Sequence, residues 1–161
     1  MQITLTIQQS KVLEEVAATA EYIGDKMTND DGAYERIRIV DANWDGLKRF
    51  WNECRAEVAK AFTNMVSSEG MYSYHDSTYT ADPDGDYYRL TLDVSGLFDT
   101  AQEATMQTGL FSFFVQGITA RWLAYTDKAD AAGYAQTAAA QLEDVRGKVF
   151  YKVLPTRPYT S

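Results

Sequence analysis

Hydrophobic residues recur along this chain with two different periods, and the changes between them mark its elements. Ile3, Leu5 and Ile7 alternate with polar residues, the two-residue period of a short strand or extended arm. From about Gln9 the step lengthens. Val12, Leu13, Val16, Ala20, Ile23 and Met27 recur at three- and four-residue spacing and predict a first helix to about Met27. Thr28-Asn29-Asp30-Asp31-Gly32 breaks this pattern as a loop, and Arg36 to Val40 alternates briefly, as a short strand or extended chain. Asp41 or Asn43 offers a capping oxygen to the next helix. There Trp44, Leu47, Trp51, Cys54, Val58, Phe62 and Met65 form one continuous apolar seam.

After Val66 the pattern changes. Met71 to Thr80 is rich in Tyr, Ser and Thr, and Tyr88, Leu90, Leu92 and Val94 alternate with Tyr87, Arg89, Thr91 and Asp93. Between these stretches, Asp82-Pro83-Asp84-Gly85 has turn chemistry, so a β-hairpin is expected at about 71–94. Thr100-Ala101-Gln102-Glu103 fits a capping box opening a third long helix to about Tyr125. That helix is apolar nearly all round between Leu110 and Trp122, as a central buried helix is. Asp127 and Asp130 mark a fourth helix with an inner face of Ala132, Ala135, Ala138, Ala139, Leu142, Val145 and Val149. Pro155 and Pro158 stop it and favour extended chain. The expectation is a mainly α fold: a four-helix bundle-like single domain over 1–152 with an inserted hairpin and extended termini, 153–161 forming a C-terminal tail.

Composition narrows the function. The 161 residues carry a formal charge of −8. That argues against a free-standing nucleic-acid binder but fits a wall past which DNA slides. One cysteine, Cys54, makes no internal disulfide. Met1 to Gln8 lacks the basic and long apolar regions of a signal peptide. The apolar run at Leu110 is interrupted by Gln116 and Arg121, short of the roughly 20 residues a bilayer needs. A soluble protein kept inside a cell, or in a particle built there, is expected, with no membrane partner.

Candidate chemistry is sparse. Asp82, Asp84 and Asp86 alternate like the opening of a calcium loop, and Asp93 stands where a closing ligand would. However, glycine occupies the fourth loop position instead of the sixth, so a solvated turn is the better reading. His75 has an adjacent acid, Asp76, but strand neighbours point to opposite faces. Cys54 sits on the apolar seam as a structural thiol. Asp30-Asp31, the turn aspartates and Asp99 with Glu103 each have local roles as loops or caps, which leaves a metal-dependent nuclease without a ligand set. No catalytic residue, metal or cofactor is expected.

The tail is different. Arg146, Lys148 and Lys152 complement a helix dipole. Val153, Leu154, Pro155, Arg157, Pro158 and Tyr159 lie beyond the helix, and such an extended, partly apolar segment suits docking on a neighbour, with a disordered terminus as the alternative on composition.

Ile3 to Ile7, Glu15-Val16-Ala17, Gly24 to Met27, Ala33 to Ile37, Arg49 to Glu53, Leu110 to Val115, Leu142 to Arg146 and Pro155 to Pro158 resemble a family found in gut Bacteroides phages and prophages. The buried aromatic helix with a Trp near its end, an alanine-rich partner helix and a basic tail are similar to the head–tail connector (adaptor) proteins of tailed phages. That resemblance implies a non-enzymatic virion protein assembled in the bacterial cytoplasm. It would form a homo-oligomeric ring between portal and tail, contacting portal and tail proteins, with DNA only as passing cargo. A tail terminator or other tail component is the nearest alternative. A metal-dependent phage enzyme or a cation-binding module is the alternative from another class.

Overall fold

The computed structural model describes residues 1–27 and 32–154. In chain order these form β1 (Gln2–Gln8), α1 (Gln9–Lys26), α2 (Ala33–Ile37), a 3-10 turn (Asp41–Asn43) and α3 (Trp44–Ala61). There follow β2 (Val66–His75), β3 (Thr78–Ala81), β4 (Tyr87–Asp93), α4 (Gln102–Thr126) and α5 (Lys128–Lys148). The strands make one antiparallel sheet in the order β1-β4-β2-β3. The fold is therefore mixed α/β, which corrects the expectation of a mainly helical bundle with a small hairpin.

Three local facts produce the difference. The alternating N-terminal arm is a sheet strand: Ile3 lies opposite Leu92, Leu5 opposite Leu90 and Ile7 opposite Tyr88, all six side chains buried. Next, β2 starts at Val66, ahead of the expected hairpin. Its apolar alternation is hidden because one residue turned toward the helices is Glu69, whose carboxylate is held by Arg55 at 2.9 Å. Finally, β2 turns back through Asp76 and Ser77, both left-handed at φ 51° and 64°. This two-residue turn needs no glycine, so β3 pairs with β2. Asp82 to Asp86 then carry the chain across β2 to β4, instead of joining two paired strands.

One face of the sheet packs on the helices. Trp51 of α3 stacks on Phe114 of α4 with centroids 4.4 Å apart, and Tyr88 of β4 meets both rings edge-on. Burial of each such ring contributes about 1.5–3 kcal/mol. As its sequence demands, α4 is the central helix, burying Leu110, Phe113, Phe114, Ile118 and Leu123. It packs closely because it carries glycines at two contacts. A Cβ on Gly109 would sit 2.7 Å from Cγ2 of Val145, and one on Gly117 would sit 3.0 Å from Sγ of Cys54.

Other expectations shift locally. Arg36 and Ile37 end a short helix; only the residues after them are extended, and the Trp122 indole N–H donates to the Ile37 carbonyl at 2.6 Å. The Thr100–Glu103 capping box does not form. Instead Asp99 accepts the Ala101 amide at 3.1 Å, and α4 begins at Gln102. Of the expected inner face only Ala138 and Val145 on α5, and Val149 just past its end, are fully buried, whereas Ala132, Ala135 and Ala139 are exposed. At the sheet edge, the Thr6 amide donates to the side-chain carbonyl of Gln107 on α4 at 2.9 Å, and the Gln107 amide donates back to the Thr6 carbonyl.

Candidate interaction surface

The three aspartates of the acidic turn are used separately. Asp82 accepts hydrogen bonds from the Ser73 hydroxyl and, at 3.0 Å, from the Asp84 amide. The Ser73 hydrogen bond, then the Asp84 one, holds the Asp82 carboxyl below the usual range. Asp86 faces the start of α1, where it accepts from the Gln8 side chain and from the amide and hydroxyl of Ser10. Its own carbonyl receives the Gln9 amide at 2.7 Å. Asp84 borders a hollow of about 210 Å³ shared with Lys48, Asn52 and Arg55. An Asx turn and a helix cap thus occupy two of the three carboxylates. Gly85 is fixed by contact: a Cβ there would lie 2.3 Å from the Tyr72 carbonyl. Among the described residues, no group of three or more His, Cys, Asp or Glu side chains is placed to hold a metal ion.

Cys54 is buried in α3, and burial pushes its thiol up to about 12. His75 stands exposed at the end of β2. Beside Cys54 lies an ion cluster that sequence periodicity does not reveal: Arg121 of α4 reaches Glu53 at 2.9 Å, Glu57, and the Cys54 sulfur at 3.3 Å. It forms the polar wall of an alanine-lined groove of about 520 Å³ between α4 and α5. Asp30 and Asp31 lie outside the described residues.

Among the described residues, the C-terminal segment with the stretch beside it carries the largest collection of exposed large apolar side chains. After α5 the chain runs alongside residues 97–99: Lys152 bridges Phe98, the Val153 amide donates to the Leu97 carbonyl at 2.8 Å, and the Asp99 amide donates to the Tyr151 carbonyl at 2.9 Å. Phe98 is buried and anchors this strip to the core. Around it Leu97, Phe150, Tyr151, Val153 and Leu154 face solvent, Leu154 at 84% exposure. Nearby, Met1 exchanges backbone hydrogen bonds with Val94 and is also exposed. Of the predicted docking residues, Val153 and Leu154 are thus displayed on an ordered ledge. Pro155, Arg157, Pro158 and Tyr159 lie outside the described residues.

A second surface has no counterpart among the sequence expectations. On the sheet face away from the helices, Tyr74 and Tyr79 lie 4.7 Å apart, and both meet Tyr87 at 6.0 and 5.6 Å. Arg89 lies over Tyr79 at 4.0 Å and over Tyr72 at 5.6 Å. Gly70 stands opposite Arg89 in the register. The signal was in the sequence: Tyr72, Tyr74, Tyr79, Tyr87 and Arg89 share one strand parity once the register is known.

No protein-family model matches the chain, and neither does any curated protein or solved structure. Among the described residues, no helix is long and apolar enough to cross a membrane.

Proposed function

We propose that this chain is a non-enzymatic virion structural protein, a connector that assembles with copies of itself into a ring between portal and tail. The observation that carries the reading is the ledge formed by Leu97, Phe150, Tyr151, Val153 and Leu154, with Met1 beside it. Large apolar side chains gathered at one end of a domain mark a protein interface, and the ordered backbone beneath them lowers the entropy lost on docking. The resemblance to connector proteins supplies the setting. The acidic balance of the chain suits a conduit through which DNA passes without adhering.

Native mass spectrometry of the full chain tests this reading. A closed oligomer is expected, dissociating in Phe150→Ser/Leu154→Ser while the circular dichroism spectrum is kept. A protein that is monomeric at all concentrations and absent from purified particles overturns it.

A further inference from the structure

We infer that the tyrosine face of the sheet is the receptor for the C-terminal tail of a neighbouring copy, the tail docking through Pro155-Thr156-Arg157-Pro158. This rests on the reading of the chain as a self-assembling component and names the two surfaces that meet. The tail has the spacing P-x-x-P, with an arginine between the prolines. Proline pairs at that spacing present two apolar ridges on one side of a left-handed extended helix, and such ridges seat on aromatic surfaces. Tyr72, Tyr74, Tyr79 and Tyr87 supply aromatic rings within one patch, and Tyr74 is 44% exposed.

Charge points the same way. The turns that border the tyrosine end of the face hold four carboxylates, Asp76, Asp82, Asp84 and Asp86, against one guanidinium on the face, Arg89. Arg89 is already stacked on Tyr79. The incoming tail brings Arg157 and no acidic side chain. A cationic strip meeting an anionic surround gives attraction and fixes polarity.

Reach decides between a contact within one molecule and a contact between two. The described residues end at Leu154, whose neighbour Val153 bonds Leu97, which follows the far end of β4. Tyr87 opens β4, and that strand spans roughly 20 Å over its length. Pro155 to Pro158 extend at most about 14 Å beyond Leu154. The proline pair therefore meets the tyrosines of another copy. Ledge and face are different patches, so the contact is head to tail, the kind that closes into a ring when its rotation divides a full turn.

The test uses the full chain in two variants, Tyr74→Ala/Tyr79→Ala on the face and Arg157→Glu in the tail, with the melting temperature checked for each. Each alone is expected to lose the oligomer seen by native mass spectrometry. An equimolar mixture is expected to recover dimers, because the intact tail of one variant fits the intact face of the other. As a second readout, Ala81→Cys mixed with Thr156→Cys should form a mixed disulfide at least about tenfold faster than Gln136→Cys, at an exposed position of α5, mixed with Thr156→Cys. Oligomers that persist in both variants, with no preferential cross-link, overturn the inference and leave self-assembly through another surface. A wild-type chain that never oligomerises and never cross-links overturns both it and the reading beneath it.

Discussion

Asp86 accepts hydrogen bonds from both the backbone amide and the hydroxyl of Ser10, at 2.9 and 2.7 Å, and so caps α1 from a residue 76 positions away. Helix starts leave amides without partners, and the side chain that satisfies them is usually local. Here the cap is tertiary, coupling the junction of β1 and α1 to the turn before β4. Asp86→Ala is expected to cost about 1–2 kcal/mol in urea unfolding, and Asp86→Asn less. Added calcium is expected to leave the wild-type melting temperature unchanged, since Asp86 is already engaged; a rise abolished by Asp84→Ala would instead restore the cation loop.

Gly85 has a steric role in the same turn. A methyl group there would overlap backbone atoms of Tyr72, which cannot swing aside as a side chain can. Gly85→Ala is expected to destabilise the protein by at least about 2 kcal/mol, measured by denaturant melts. Gly109→Ala meets only the Val145 side chain, so its smaller loss should be recovered in part by Val145→Ala in a double-mutant cycle.

Cys54 provides a pH test. Burial raises its thiol pKa to about 12, so the neutral thiol is the folded form throughout the ordinary range. The raised folded value means that its contribution to stability is present below the unfolded thiol pKa. It is lost as pH rises through about 12. Iodoacetamide at pH 8.5 is expected to modify Cys54 slowly in the native protein and rapidly in urea. Rapid native labelling would show that α3 opens from α4.

Arg121 joins Glu53 and Glu57 across α3 and α4 at the rim of the alanine-lined groove. These pairs are partly exposed, so Arg121→Met is expected to cost only about 0.5–1 kcal/mol, with a smaller difference from wild type at 1 M salt.

Two of the long helices were legible in the sequence from a three-to-four-residue apolar period: α1 and α3 begin and end close to where Val12 to Met27 and Trp44 to Met65 place them, whereas the five-residue α2 is too short to show one. The sheet was not. Ile3, Leu5 and Ile7 have the strand period, yet nothing local says that Leu92, Leu90 and Tyr88 lie opposite them some 80 residues later. In β2 the inward position of Glu69 is satisfied by Arg55 from another element, which hides the period. The docking residues divide similarly. The apolar character of Val153 and Leu154 could be read directly, but their support by Leu97 and Phe98, and the gathering of four tyrosines on one face, depend on strand register.

The paired hydrogen bonds between Gln107 and Thr6 have a consequence for how copies can join. A helix side chain has taken one rung of β1 that a foreign strand would need, and at the opposite edge the four residues of β3 cover Tyr72 to His75 of β2. That rung is thereby closed to strand addition by a neighbouring copy. A copy that adds a strand along β1 must first displace Gln107 from Thr6.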